Sequence, residues 1–247
     1  MQIAKKAVLF TGANRGIGEA HVKEALKRGA KRVFAGTRHA LPNSDPRVTA
    51  STLDVTNPSQ IQRASDQVGS LDILINNAGI GIADDLTDLG VVQRHLDVNL
   101  LGMVKVTEAF LPLLSRSKGA IVNILSITSV APMPVIPSYS ISKEAALSLT
   151  QSLRAPLKRQ GISVHAVLPG TVDTDMTRGY DAFPKVSPAS VAAGIFDGVE
   201  NGEEEIFPDP TSQTLAEGWR AGVAKALERR INAVVLEGAQ IDPRERL

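Results

Sequence analysis

An open, largely parallel α/β sheet with helices on both faces is the fold this sequence predicts, and three observations predict it. Short runs rich in β-branched residues alternate with longer amphipathic runs along the chain, the pattern of repeated βαβ units. A glycine-rich turn, Thr11-Gly12-Ala13-Asn14-Arg15-Gly16-Ile17-Gly18, follows the first apolar run and opens the first helical segment. The length of 247 residues, 43% of them hydrophobic, suits one doubly wound sheet, so a single domain over 1–247 is expected.

Strands are expected at 7–10, 32–35, 48–53, 72–76, 120–124, 163–168 and, shortest, 205–207. The first, Ala7-Val8-Leu9-Phe10, follows lysines and is far too short for a signal-peptide apolar region. The helical pattern covers 16–28, 58–67, 91–114, 139–160, 188–201 and 211–230, with Gly29, Gly69, Gly119 and Gly161 as stops. A C-terminal helix and tail occupy about 208–247. Pro156 falls inside the helix over 139–160, where loss of a backbone bond should cost about 3 kcal/mol or force a bend.

Composition narrows the partners. A net charge of +1 with no Lys/Arg-rich run gives no footprint for nucleic acid or an anionic membrane, so a small molecule is expected. No stretch of about 18 uncharged apolar residues predicts a membrane span. The absence of cysteine excludes disulfides, thiolate metal sites and cysteine nucleophiles, and is compatible with a cytoplasmic location. His21, His39, His95 and His165 are not grouped at metal-ligand spacing, so no metal is expected. A Gly-x-Ser-x-Gly elbow is also missing, which argues against a serine hydrolase.

Glycines between a strand and a helix let the backbone approach a pyrophosphate, whose charge then meets free N–H groups at the helix N-terminus. The alternative is an ordinary strand-to-helix turn. The second strand ends Ala35-Gly36-Thr37-Arg38-His39, without the carboxylate that would bind the ribose of NAD. Arg38 and Arg15 instead offer two guanidiniums for a 2′-phosphate, each such bond worth roughly 1.5–3 kcal/mol, so NADP(H) is preferred and NAD(H) remains possible. Asp54 could accept from an adenine amino group or cap its own turn, while Asn76-Asn77-Ala78-Gly79 stands at the carboxyl edge where open sheets bind ligands.

The segment 126–143 carries a hydroxyl (Ser126), a phenol (Tyr139) and, one helical turn later, an ammonium (Lys143). Together they can exchange a proton with an oxygen. Moving a phenol from a pKa near 10 to about 7 takes on the order of 4 kcal/mol. One positive charge about 6 Å away, at an effective dielectric of about 20, supplies roughly 3 kcal/mol. Lys143 is therefore expected to cover most of that shift.

Residues 11–18, Asp54, 76–79, Asn99, Ser126, Tyr139-x-x-x-Lys143 and Pro169-Gly170 followed by Thr174 resemble, in order, the motifs of the short-chain dehydrogenase/reductase family. The resemblance covers residues 6 to about 176 and implies a Rossmann fold of seven parallel strands in the order 3-2-1-4-5-6-7. It implies hydride transfer with Tyr139 as general acid/base, Lys143 as its activator and ribose ligand, Ser126 orienting the substrate carbonyl, and Asn99 holding a relay water. It also implies a cofactor cleft lined by Gly12, Asn14, Arg15, Gly16, Ile17, Gly18, Thr37, Arg38, Asp54, Val55, Asn77, Ala78, Gly79, Pro169, Gly170, Val172 and Thr174. A homotetramer or dimer built on the helices at 91–114 and 139–160 is implied as well.

Three segments, 80–88, 127–138 and 175–187, should shape the substrate pocket, with Met133, Met176, Tyr180 and Phe183 as apolar walls. They suit a compact hydrophobic ketone, aldehyde or secondary alcohol. Arg178 motivates an alternative, a β-ketoacyl-thioester reductase meeting a phosphorylated carrier. A second alternative is a non-catalytic dinucleotide sensor that binds a partner protein.

Overall fold

In the computed structural model, which describes residues 1–38, 45–179 and 181–237, the β-branched runs form one parallel sheet. Its strands are β1 (Ala7–Thr11), β2 (Arg32–Thr37), β3 (Val48–Thr52), β4 (Ile73–Asn76), β5 (Ala120–Ile124), β6 (Ser163–Val167) and β7 (Glu205–Ile206). They lie in the order β3-β2-β1-β4-β5-β6-β7, and every pairing is parallel. His39 and Tyr180 lie outside the described residues.

Because side chains alternate across a strand, each central strand buries both faces. Val8, Phe10, Ile73, Ile75, Val122 and Val167 meet α1 (Gly16–Lys27) and α6 (Pro188–Asn201) on one face. Leu9, Leu74, Ile121 and Val164 meet α2 (Pro58–Gln67), α4 (Gly102–Ser117) and the C-terminal part of α5 (Pro137–Lys158) on the other. Full burial of a Leu, Ile or Phe is worth about 1.5–3 kcal/mol, so these two layers dominate the stability. His21 of α1 is fully buried between Phe10 and Phe196, with no partner at either ring nitrogen.

The helix expected over 91–114 is interrupted. α3 (Leu89–Leu96) passes into a π turn, Asp97–Leu101, before α4 begins, and Asn99 sits inside that bulge. Hydropathy cannot reveal one extra residue in a helical turn. Leu89–Ser117 is apolar and long enough to cross a membrane by composition alone, but Val106, Phe110 and Leu114 bury its inner face on the sheet. The helix expected over 211–230 is two, α7 (Pro210–Ala221) and α8 (Val223–Leu236), parted by the extended backbone of Gly222. Pro156 does not end α5, which runs through it to Lys158; the carbonyl left without a donor belongs to exposed Ser152.

Ions rather than apolar groups fix α8. Arg154 of α5 binds Glu205 (2.6 Å) and Glu228 (2.5 Å), while Lys225 of α8 binds Glu204, Glu205 and Glu228 at 2.8 to 3.0 Å. The outer face of α8 carries Val223, Leu227, Ile231 and Val234, all exposed.

Candidate active site

The site lies at the carboxyl ends of β1, β4, β5 and β6, where loops leaving adjacent strands diverge. After β1 the chain turns through Gly12 and Gly16, both at positive φ (67° and 55°), which glycine adopts without steric cost. Gly18 lets α1 start tight against the strand: a Cβ there would lie 2.0 Å from the Gly12 carbonyl oxygen. Arg15, at the N-cap of α1, supplies no side-chain cap, so the N–H groups of the first turn are left for an anion at the cleft.

Asn77 and Thr11 tie the glycine loop to β4. The Asn77 amide donates to the carbonyls of Thr11 and Gly12 (3.0 Å each), and Thr11 Oγ1 accepts from the N–H groups of Asn77 and Ala78 (3.0 Å each). Asn76 points the other way, into the core, donating to Thr107 and Asn123. It is thus a buried structural amide rather than part of the cleft edge. Asp54 accepts from the Thr56 N–H (2.8 Å) and hydroxyl (2.7 Å) while lining the cleft, so it caps its turn and still faces the open space. Those bonds and the nearby Arg38 hold its carboxyl below the usual range despite partial burial.

All the residues expected around the cofactor line this cleft except Thr37, which is buried in β2. The outward alternation at that strand end belongs to Arg38, which is exposed at the rim. Arg15 reaches across the mouth to Asp175 (3.3 Å). Arg178, which had motivated a phosphorylated carrier, is paired with the same Asp175 (2.5 Å).

The proton-handling groups converge at the ends of β5 and α5. Ser126 caps a short 3-10 turn, its Oγ accepting from the Thr128 N–H at 3.1 Å, and its hydroxyl faces the same cleft as Tyr139. Lys143 is buried, donates to the Ile124 carbonyl at 2.8 Å, and lies 5.6 Å from the Tyr139 ring centre. Burial pushes the Lys143 ammonium down to about 8. It pushes the Tyr139 phenol up to about 12, with the Ser126 hydroxyl pulling the other way, although part of the ring faces the cleft. The expected downward pull of Lys143 on the phenol is not seen in the protein alone, where desolvation by burial is the largest influence.

Asn99 stands behind this set and does not line the cleft. Its amide donates to the Ile80 carbonyl (3.0 Å) and Ser142 Oγ (2.9 Å), and its Oδ1 accepts from the Ile80 N–H (2.9 Å). His95, read from sequence as a surface or core residue, is fully buried and packs edge-on against Tyr139 at 6.3 Å. Its Nδ1–H donates to the Val91 carbonyl and its Nε2 accepts from the Ile82 N–H, which fixes the neutral tautomer. Asp209, also unread, anchors the 169–170 turn by accepting from the Gly170 N–H at 2.8 Å; the Asp209-Pro210-Thr211-Ser212 capping box was its only local signal.

A second, smaller chamber of about 90 Å³ adjoins the cleft. Ile127, Met133, Ile136, Met176 and Phe183 form its walls, with Ser126 and Tyr139 shared between the two spaces. Among the described residues no group of His, Asp or Glu is placed to hold a metal.

A family model described as short chain dehydrogenase matches residues 6–184. An uncharacterized oxidoreductase of Staphylococcus epidermidis is 36% identical over 193 residues, which is 73% of this chain and 84% of that protein. Estradiol 17-beta-dehydrogenase 2 of Rattus norvegicus is 32% identical over 203 residues, 75% of this chain but 53% of that protein. Among solved structures, a short chain dehydrogenase from Burkholderia cenocepacia in complex with NADP has a TM-score of 0.85 at 34% identity, covering 94% of this chain and 99% of that one. Motif order, strand order and the family match agree: this chain belongs to the short-chain dehydrogenase family of oxidoreductases.

Proposed function

We propose that this chain is a cytoplasmic, NADP(H)-dependent carbonyl reductase acting on compact, apolar ketones or aldehydes and, in reverse, on secondary alcohols. One observation carries the reading: Ser126 and Tyr139 stand at the seam between a long cleft with an anion-ready helix N-terminus and a small apolar chamber. The single-domain reading and a homo-oligomer are part of the proposal, the latter supported by Leu101, Val104 and Ile141, which leave apolar surface exposed on the outer side of the π turn, α4 and α5.

The residues fit a dinucleotide. Gly12, Gly16 and Gly18 leave a cradle that side chains would fill, and a Cβ on Gly16 would lie 3.1 Å from Thr174 Cγ2, on the opposite wall. Arg38 and Arg15, both at the rim, would hold a 2′-phosphate, and the Burkholderia relative was crystallised with NADP. When bound, the nicotinamide supplies the hydride. Lys143, on the same wall, would meet the ribose, and Thr174 the carboxamide.

Tyr139 supplies the proton. A phenol pushed up to about 12 is protonated at neutral pH, which suits an acid that must protonate a carbonyl oxygen as it gains electrons. Ser126 would donate to that same oxygen and fix its direction. The buried ammonium of Lys143 stabilises the phenolate left behind, since Coulomb attraction is stronger away from water. Asn99 would position a water for reprotonation, beside its bonds to Ile80 and Ser142.

The test is NADPH oxidation with a panel of ketones, aldehydes and diketones, run on wild type and Tyr139→Phe. Loss of the acid should lower kcat by about 10²–10⁴-fold with NADPH still bound. A wild type inert to the whole panel, or a Tyr139→Phe enzyme as fast as wild type, counts against the proposal.

A further inference from the structure

Helix α5 carries Tyr139 in its first turn, and that turn has no cap of its own. The N-cap residue is Ile136, which has no side-chain acceptor, and Pro137 at the first position has no N–H to offer. The acceptor comes from elsewhere: Asp84 Oδ1 accepts from the Ser138 N–H at 3.3 Å, and Asp84 Oδ2 accepts from the Ser138 hydroxyl. Ser138 is fully buried and immediately precedes Tyr139. The Asp84 N–H donates in turn to the Val135 carbonyl at 3.4 Å, and its Oδ2 also accepts from the Leu86 N–H at 3.4 Å.

From this geometry we infer that Asp84 is a positioning residue for Tyr139, a detached N-cap that fastens the acid-bearing turn of α5 to the 80–88 loop; the inference rests on the reductase reading above. A local cap would stabilise the helix alone. A cap 54 residues away in sequence instead ties two segments of the substrate chamber together, because Gly81 of the same loop lines it beside Tyr139, whose Cδ2 would lie 3.6 Å from a Cβ on Gly81. Its negative charge also meets the positive end of the helix dipole, where a carboxylate is favoured. A reacting group displaced by about 1 Å loses on the order of 10²-fold in rate. Asp84 thus acts on kcat through the placement of Tyr139 and touches neither substrate nor cofactor.

The experiment compares wild type, Asp84→Ala and Asp84→Asn by steady-state kinetics, NADPH titration by fluorescence, and amide hydrogen exchange of the peptide covering 133–145. Asn retains an Oδ1 acceptor for the Ser138 N–H; Ala retains none. Asp84→Ala should lower kcat at least tenfold, leave the NADPH Kd within about twofold, and speed exchange at the start of α5. Asp84→Asn should recover most of the rate and the protection. An Asp84→Ala enzyme within twofold of wild type in kcat, equal losses in both variants, or a parallel loss of NADPH binding would each overturn the inference. Exchange reads the cap without any turnover: faster exchange in Asp84→Ala alone, in a protein whose wild type reduces no carbonyl, would sink the reductase reading while leaving the cap in place. Unchanged exchange would sink the cap.

Discussion

The two sides of the active-site seam are made of different material. On the cofactor side the walls are backbone leaving strand ends, cross-tied by Thr11, Asn77 and Asp209 through hydrogen bonds of 2.8 to 3.0 Å. On the substrate side they are side chains on loops, with Met176 and Phe183 still 40% and 44% exposed. A backbone wall cannot change shape without moving the sheet. A side-chain wall can be recut one residue at a time. On the proposed reading, this difference leaves the reaction to the fold and the choice of substrate to three loops.

The largest test of that contrast strikes the support beneath the cofactor side. His21 is uncharged when folded, its pKa pushed down to about 3 by burial, whereas it titrates near 6.5 when exposed. The unfolded chain therefore binds the extra proton: stability is full above about 6.5 and falls as pH drops toward 3, by up to about 4–5 kcal/mol from this group. His21→Leu should remove that part of the acid limb, read as the difference between the two urea-unfolding curves from pH 3 to 7. Parallel curves would mean the ring escapes its apolar site before it charges. Next in size, Gly18→Ala forces a Cβ onto the Gly12 carbonyl and should weaken NADPH binding by about 100-fold, on the order of 3 kcal/mol, measured by fluorescence titration. Binding within threefold of wild type would show that the backbone wall yields after all.

Arg38→Asp should then lower the NADPH-to-NADH ratio of kcat/KM by about 10–100-fold, the equivalent of one or two charged hydrogen bonds. An unchanged ratio would assign 2′-phosphate recognition elsewhere. The smallest effect belongs to the side-chain wall: Phe183→Ala should alter KM within about tenfold, raise the relative rate of bulkier ketones, and leave NADPH affinity as it was. A loss of cofactor affinity there would erase the distinction between the two sides.

What could be read in the sequence was what is local. Strand ends, the glycine turn and Tyr139 with Lys143 are encoded by period, steric need and four-residue spacing, and these recovered the strands, while the strand order and most of the cleft lining came from the family resemblance. Juxtapositions were illegible. Asp84 reaches Ser138 across 54 residues, and Arg154 reaches Glu205 and Glu228 across 51 and 74, distances over which no spacing rule operates. The phenol moved opposite to expectation for a related reason: spacing counts the charge of Lys143 but not the water that folding removes. The π turn at Asn99 escaped because its flanks, Leu96 and Gly102, continue as helix on either side.

The ion cluster under α8 has a consequence for alignment. Apolar faces are nearly equivalent at each turn, and a helix docked by them can settle one turn, about 5.4 Å, out of place at small cost. Two cations shared among three carboxylates favour one seating, because a slip of α8 takes Lys225 away from Glu204 and Glu205 and takes Glu228 away from Arg154. The helix is keyed rather than glued, and the key is cut in β7 and α5, elements that the sheet itself holds in place.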